Sequence, residues 1–278
     1  MSQSSSSADG RGDDHASANT SHSHSHSHGR GYGRNLVKKT LVALGYAVWT
    51  LFSFALAQAL LYGAVYGLGL VGVSFATVNE TLFSTIYSAV VYLVTIAIVI
   101  GGPWLLRHKK TTLRELGLSQ LPRWRDLLWV PAGIIAYLIL TALITTLARY
   151  VLPFINFSES QDTGFTNLSS QFQYFLAFFT LVIVAPFAEE VIFRGYLFGK
   201  LRRVASTLVA ALLASLTFAV AHMQWNVGLD VFALSLVLCL LRVGTDSLWP
   251  SILLHMLKNM MAFYLLFINT SLLSTLGG

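Results

Sequence analysis

Long apolar segments dominate this chain and leave little choice of fold. A helix needs roughly 20 apolar residues to cross about 30 Å of hydrocarbon. Seven segments are candidates, the sixth of them short: 41–62, 82–106, 127–150, 172–198, 207–225, 227–241 and 248–268. The chain is 55% hydrophobic and only 11% charged, which is outside the usual range of soluble domains. We therefore predict an all-α integral membrane protein, a polytopic bundle of about seven transmembrane helices that encloses a polar cavity.

The two ends of the chain lack such apolar segments. Residues 1–33 are rich in Ser, Gly and His, and residues 21–28 simply alternate Ser with His. Burial of so few apolar side chains cannot offset the conformational entropy that is lost on ordering. We therefore predict a disordered cytoplasmic tail. The transmembrane domain is then residues 34–270, with a motif-bearing core at 113–268, and residues 271–278 form a short polar carboxyl-terminal end.

The distribution of Lys and Arg indicates an orientation. If the seven segments alternate across the membrane, the basic clusters fall on one side, at residues 30–39, 107–125, 200–203 and 242. The other side receives Arg149 with the acidic Glu159 and Asp230. Because basic loops stay in the cytoplasm, we predict a bacterial-type plasma membrane protein with a cytoplasmic amino terminus and an outer carboxyl terminus. The net charge of +6 is then explained by topology and not by a nucleic-acid partner.

A short polar stretch between the second and third apolar segments has the pattern of an interfacial helix. Thr112 is placed to cap its amino end, and Gly117 is placed to stop it.

Three ionisable side chains interrupt the fourth apolar segment. They are Glu189, Glu190 and Arg194, and each uncompensated charge in hydrocarbon costs at least roughly 2.5 to 3.5 kcal/mol. Glu190 and Arg194 have helical spacing, so we expect an intrahelical ion pair that braces the helix. Glu189 projects about 100° away from Glu190. It is left as an unpaired carboxylate, a candidate general base for a water molecule.

Two histidines lie in later apolar segments, each with a helically spaced partner. Phe218 pairs with His222, and His255 pairs with Asn259. Each of these residues has an ordinary alternative, as a packed side chain or as an interhelical hydrogen-bond partner. Together with Glu189 they make up the set that is needed to activate water and stabilise a tetrahedral oxyanion.

The three motifs in this order resemble those of the CPBP family of membrane proteins. They are Glu189-Glu190-x-x-x-Arg194, Phe218-x-x-x-His222 and His255-x-x-x-Asn259, each in its own apolar segment. That family includes the CAAX prenyl endopeptidases and the bacteriocin-processing and self-immunity proteins. The resemblance covers residues 113–268.

This resemblance implies a role for each motif residue. Glu189 is expected to act as general base while His222 holds the attacking water. His255 and Asn259 are expected to form the oxyanion hole. Glu190 and Arg194, with Phe218, have supporting positions.

The resemblance also implies a glutamate-type intramembrane protease that uses no metal and no other cofactor. Its partners are then membrane lipids and a peptide or membrane-protein substrate, such as a CAAX-like peptide, a bacteriocin leader or another membrane-associated segment. The sequence assigns no oligomeric state. Lys258, next to Asn259, is an additional intramembrane charge without a role in this scheme.

Three other functions stay open at this point. A catalytically silent scaffold or immunity factor of the same fold would use the motif residues only to hold helices together. A transporter or proton relay would also need intramembrane carboxylates, but the paired Gly/Pro-interrupted helices of inverted repeats are not evident. A zinc hydrolase would use His222, His255 and a Glu as ligands, although the chain lacks a His-Glu-x-x-His motif.

Straight helices would keep the motif residues apart. At 1.5 Å per residue, Glu189 lies about 16 Å from the helix end near Lys200, whereas His222 lies about 22 Å from Thr207. Pro186 precedes Glu189 and offers a place for a kink that brings the motifs together.

Overall fold

The computed structural model describes residues 25–75, 77–157, 159, 163–165 and 168–272, with side chains from residue 34 onward. The regular secondary structure in these ranges is helical, which confirms the all-α membrane class. The helices discussed below are α1 (Ser25–Leu70), α2 (Glu80–Arg107), α3 (Leu113–Leu116), α4 (Trp124–Val151), α5 (Gln171–Leu201), α6 (Thr207–Ala221), α7 (Trp225–Thr245) and α8 (Trp249–Ile268). The chain divides into two units, residues 1–38 and 39–278, and every contact described here lies within the second.

Helix α1 begins earlier than the composition predicts. Its first residue is Ser25, so residues 25–33 of the predicted disordered tail are helical. Residues 1–24 and 273–278 lie outside the described residues. Disorder of residues 1–24 and the character of the carboxyl-terminal end therefore stay predictions.

Six helices among the described residues are long and apolar enough to cross a membrane, where the sequence predicts about seven. The difference lies in α6, which has 15 residues and is about 22 Å long at 1.5 Å per residue. The sequence places the end of this segment at Trp225, but the chain turns sooner. Met223 has a φ of 54°, a left-handed conformation that a helix cannot continue through, and Trp225 already begins α7.

Helices α5 and α7 are the most deeply buried spans. In the most apolar 18-residue stretch of each helix, 56% of the residues of α5 and 61% of those of α7 are buried, against 17% to 28% in the other four spans. Close approach of helices in a membrane bundle depends on small residues. Gly133 of α4 is one of these, because a Cβ there would lie 2.8 Å from the side chain of Leu254 in α8.

Helix α5 is irregular on both sides of the Glu189-Glu190 pair. Its α-helical segment Ala185–Glu190 lies between two π-helical segments, Phe179–Val184 and Val191–Phe198. Pro186 falls in the first turn of the α-helical segment, where its missing N–H is best tolerated. The sequence offers this proline as a place for a kink, which stays a prediction. The structure shows that π-helical turns flank the segment, and such turns commonly occur at functional sites.

The predicted interfacial helix is present as α3. Thr112 Oγ1 accepts a hydrogen bond from the backbone N of Glu115 at 3.3 Å. Gly117 has a φ of 81°, which ends the helix in the left-handed conformation that glycine adopts without strain. The carbonyl of Gly117 then accepts from Leu248 N at 3.0 Å, so the α3 end is attached to the α7–α8 turn.

Candidate active site

A buried ion pair forms the base of the site. Arg194 Nη1 lies 2.9 Å from Glu190 Oε1, and both side chains are fully buried. This confirms the intrahelical pair that the spacing predicts. The Arg194 guanidinium also lies 4.3 Å from the centre of the Phe218 ring, so one side of the cation faces an aromatic surface that favours positive charge.

His255 of α8 connects both carboxylates of α5. Its Nδ1 lies 2.9 Å from Glu190 Oε1, and its Nε2 lies 3.7 Å from Glu189 Oε2. The sequence predicts that the two adjacent glutamates face different neighbours. The two glutamates have different neighbours in part. The imidazole of His255 nevertheless reaches both of them, because its two ring nitrogens point in different directions. Since a carboxylate accepts the bond at Nδ1, this nitrogen carries a proton.

Tyr92 of α2 holds the other oxygen of Glu189. Its hydroxyl donates to Glu189 Oε1 at 2.6 Å, a distance typical of a strong hydrogen bond to a carboxylate. The sequence analysis missed this residue. A tyrosine within an apolar segment carries no signal of its own, and no spacing rule connects it to a helix 97 residues later.

Phe218 lies at the centre of the motif residues. Its ring centre is 4.7 Å from that of His222 and 5.9 Å from that of His255, both in edge-to-face geometry. Phe193 packs on it at 4.7 Å. A fully buried ring in this position keeps apolar surface around the polar groups. It can therefore support the site by position alone.

His222 lies at the carboxyl end of α6, where it is the capping residue. Its Nδ1 is 2.9 Å from the carbonyl oxygen of Phe218. A carbonyl only accepts, so Nδ1 is the donor and a neutral ring keeps its lone pair at Nε2. The His222 imidazole and that of His255 both pack on the Phe218 ring.

Asn259 follows His255 by one helical turn but makes a different contact. Its Nδ2 donates to the carbonyl oxygen of Leu181 at 2.9 Å. Leu181 belongs to the π-helical segment Phe179–Val184, where the regular backbone ladder is interrupted. This is the interhelical hydrogen bond that the sequence analysis kept as an alternative to an oxyanion role.

Lys258 is paired with Asp230, which the sequence analysis counted only among the charges of the outer side. Its Nζ lies 3.0 Å from Asp230 Oδ2, and Asp230 is inside α7. Asp230 Oδ1 also accepts hydrogen bonds from Tyr137 at 2.6 Å and Thr141 at 2.9 Å, both in α4. The position of Asp230 within an apolar segment was the signal that could have identified it. This second polar cluster joins α4, α7 and α8.

No group of three His, Cys, Asp or Glu side chains with metal-ligand geometry occurs in the part of the chain that the structure describes.

Comparison with known proteins finds a similarity to one family over the helices that carry the motifs. The family model described as type II CAAX prenyl endopeptidase, Rce1-like, matches residues 171–261. This stretch is 91 of the 278 residues of the chain and contains all seven motif residues.

Two curated bacterial proteins are similar over part of their length. YxdF of Lactococcus lactis is 29% identical over 119 residues, which are 43% of this chain and 61% of YxdF. The membrane-embedded CAAX protease MroQ of Staphylococcus aureus is 32% identical over 87 residues, which are 29% of this chain and 35% of MroQ. The chain thus spans less than two thirds of either relative. No solved structure matches it.

The family match and the site coincide, because the matched residues run from the start of α5 almost to the end of α8. Residues 171–261 of this membrane protein are therefore similar in sequence to the Rce1-like CAAX prenyl endopeptidase family.

Proposed function

We propose that this protein is an intramembrane endopeptidase in which Glu189 activates a water molecule. One observation carries the proposal: a carboxylate from α5 and an imidazole from α8 face each other at 3.7 Å within the bundle. This distance is too long for a direct hydrogen bond. It suits two groups that share a water molecule between them.

Glu189 and His222 are suited to hold that water. Glu189 Oε1 is occupied by the Tyr92 hydroxyl, which leaves Oε2 as the oxygen that accepts a proton. His222 donates through Nδ1 to a backbone carbonyl, so its Nε2 accepts the second hydrogen of the water. Two acceptors on one water raise the electron density on its oxygen, as general base catalysis requires.

His255 is suited to stabilise the oxyanion when both of its ring nitrogens carry protons. Nδ1–H then donates to Glu190, and Nε2–H remains for the oxygen of the tetrahedral intermediate. In this state the positive charges of Arg194 and His255 balance the negative charges of Glu189 and Glu190. Charge balance favours such a cluster in surroundings of low dielectric constant.

Asn259 is proposed as the second oxyanion donor. One amide N–H is used by the carbonyl of Leu181, which fixes the orientation of the amide plane. The remaining N–H of the same group is the one that would donate to substrate.

The reaction then follows in two proton transfers. Glu189 takes a proton from the water molecule while the oxygen of that water bonds to the carbonyl carbon of the scissile peptide. The carbonyl oxygen becomes an oxyanion and accepts from His255 and Asn259. On collapse the carbon–nitrogen bond breaks, and Glu189 returns its proton to the leaving amine nitrogen. The products are a carboxylic acid and an amine, and the acid then gives up its proton to the amine, so that a carboxylate and an ammonium group result.

The proposed substrates are peptide segments that reach the membrane interior. CAAX-like carboxyl-terminal peptides, bacteriocin leaders and other membrane-associated segments belong to this class. The match of residues 171–261 to the Rce1-like family model and the similarity to a relative named as a CAAX protease support a membrane peptidase.

The proposal predicts that Glu189→Gln abolishes cleavage without unfolding the protein. Glutamine keeps the size of the side chain and the acceptor for Tyr92 but cannot take the proton. Cleavage of a library of prenylated and unprenylated peptides by the detergent-purified protein, followed by mass spectrometry, measures the effect. Glu159→Gln, an exposed change in the loop after α4, is the matched control and is expected to retain full activity.

A catalytically silent scaffold of the same fold is the second candidate. The bond from Asn259 to Leu181 favours it, because this contact serves helix packing without chemistry. Under this alternative, the wild type and Glu189→Gln proteins give identical peptide spectra. If the wild type cleaves a peptide and Glu189→Gln does not, the scaffold alternative is excluded.

A further inference from the structure

A second polar recess lies away from the proposed active site, at the level of α3. It has a volume of about 620 Å³ and lies between the α3–α4 connection and the α7–α8 turn. Its lining includes Arg114, Arg123, Arg125 and Trp129. We call it the arginine cavity. Its volume falls within the roughly 300 to 1,000 Å³ of ordinary ligand pockets.

The walls of the arginine cavity are tied together by hydrogen bonds to two backbone carbonyls. Leu248 N donates to the carbonyl of Gly117 at 3.0 Å, and Trp249 Nε1 donates to the carbonyl of Gln120 at 2.7 Å. These bonds connect the segment after α3 to the beginning of α8. The cavity is therefore built into the fold and is not a gap between two unattached loops.

The cavity carries an excess of positive charge. Its two acidic residues are already engaged: Asp246 pairs with Arg242 at 3.0 Å, and Asp126 accepts the backbone N–H of Arg123 at 2.8 Å. The guanidinium groups of its three arginines, in contrast, form no ion pair with any side chain that the structure describes. Three guanidiniums around one cavity are suited to a phosphate group, which they bind through paired N–H donors.

The position of the cavity corresponds to the headgroup region of a membrane. Trp124, the first residue of α4, is 85% exposed, and Trp129 one turn later is 49% exposed. Tryptophans at the end of a membrane-spanning helix mark the interface between hydrocarbon and water. Basic pockets between membrane helices at this level recognise anionic lipid headgroups.

We propose that the arginine cavity binds the phosphate headgroup of an anionic phospholipid. The phosphate lies among the three guanidiniums, and the acyl chains extend along the outer surface of α4. This site does not depend on the proposed protease activity. An anionic lipid bound here stabilises the connection between α3 and the α7–α8 turn.

The test uses the purified full-length protein in neutral detergent. Its thermal unfolding midpoint is measured with phosphatidylglycerol, with phosphatidylcholine of the same acyl chains and with inorganic phosphate. A ligand that binds the folded state raises the midpoint. We expect phosphatidylglycerol to raise it by several degrees, and phosphatidylcholine and phosphate to have little effect.

Substitution assigns the effect to the cavity. The triple variant Arg114→Gln, Arg123→Gln, Arg125→Gln is expected to lose most of the shift, whereas replacement of the same three residues by Lys keeps part of it because the charge remains. Arg107→Gln is the matched control, since Arg107 ends α2 and does not line the cavity; it is expected to keep the full shift. The single variant Arg125→Gln gives the same comparison if the triple variant does not fold.

Three results would overturn the proposal. The first is an equal shift with phosphatidylcholine, which would indicate a general effect of lipid. The second is a full shift with inorganic phosphate alone, which would indicate a site for a soluble anion. The third is a full shift with phosphatidylglycerol in folded variants that lack the three arginines.

Discussion

Glu189 is oriented by a side chain from outside the helices that carry the motifs. The Tyr92 hydroxyl donates to Oε1 at 2.6 Å, while Oε2 faces His255. Tyr92 itself packs edge-to-face on Phe54 of α1 at 6.1 Å. The proposed base is thus held by the packing of α1 and α2, which lie before the part of the chain that matches the family model.

We expect Tyr92→Phe to lower kcat about tenfold, which corresponds to about 1.4 kcal/mol in the activation barrier. A hydrogen bond to a charged group is worth roughly 1.5 to 3 kcal/mol, and its loss lets the Glu189 carboxylate rotate away from the water. KM should change little because the hydroxyl does not reach the peptide. Steady-state kinetics on a cleaved peptide measure both constants.

Tyr87→Phe is the control for this prediction. Tyr87 lies on the same helix and its hydroxyl donates to Gln58 Oε1 at 3.1 Å, away from Glu189. The substitution Tyr87→Phe should leave kcat unchanged. An unaltered kcat in Tyr92→Phe, or a change confined to KM, would exclude the positioning role.

Among the helices, α7 is joined to α4 and α8 by the carboxylate of Asp230. One oxygen accepts from Tyr137 and Thr141, and the other pairs with Lys258. Lys258 of this ion pair is next to Asn259 in sequence. The ion pair therefore fixes the turn of α8 from which the proposed oxyanion donors project.

We expect Lys258→Met to destabilise the protein by up to about 3 kcal/mol, the lower limit for breaking a buried ion pair. We expect a loss of stability at this lower limit because the Asp230 side chain is 32% exposed, so water can solvate the carboxylate that is left unpaired. The double variant Asp230→Asn, Lys258→Met should recover most of the loss, since no unpaired charge remains. Thermal unfolding in detergent measures both. A double variant less stable than Lys258→Met alone would contradict the proposed pairing.

Helix α3 is attached to the end of α5 by a pH-sensitive contact. Glu115 lies 3.0 Å from Lys200 and 3.0 Å from Arg203. Burial raises the pKa of the Glu115 carboxyl, but hydrogen bonds from Arg203 and Lys200 outweigh this and leave the pKa below its ordinary value of 4.5. The folded state therefore favours the charged carboxylate more than the unfolded state does.

Because the folded pKa is the lower one, this contribution to stability is fully present above pH 4.5 and is lost as the pH falls through the folded value. Glu115→Gln should lower the unfolding midpoint slightly at neutral pH, since such partly exposed pairs contribute at most about 1 kcal/mol. The difference from wild type should shrink below pH 4.5. A difference for Glu115→Gln that stays constant with pH would contradict the assignment.

At the scale of the whole molecule, the distribution of the basic loops predicts the orientation in the membrane. Arg107, Lys109 and Lys110 lie between α2 and α4, on the side predicted to be cytoplasmic, whereas Glu159 lies on the opposite side. The single cysteine, Cys239, is fully buried, so the wild type provides a low background for labelling with a membrane-impermeant thiol reagent.

We expect Glu159→Cys to react in intact cells and Lys109→Cys to react only after permeabilisation. Thr270→Cys, after α8, should react in intact cells if the carboxyl terminus is outside. The result for Thr270→Cys depends on the short helix α6, because the number of crossings decides where the chain ends. Labelling of Thr270→Cys only after permeabilisation would place the carboxyl terminus in the cytoplasm.

Much of the fold could be predicted because its main determinant is local in sequence. Apolar segments of membrane-spanning length must form helices, since every backbone polar group in hydrocarbon needs an internal partner. The spacing of Glu190 and Arg194 likewise predicted their ion pair, because both lie on one helix. The short length of α6 was not predicted, since the turn at Met223 interrupts a segment that reads as continuously apolar.

The sequence by itself determined the helices, the motif residues on each of them and the ion pair within α5. The tertiary structure alone decided which helices meet: Tyr92 on Glu189, one imidazole of His255 between two carboxylates, Asp230 on Lys258, and Asn259 on the backbone of Leu181. The physical reason is that spacing along a helix sets which residues share a face, whereas the rotation of each face depends on π-helical turns and packing against other helices. Those are properties of the assembled bundle.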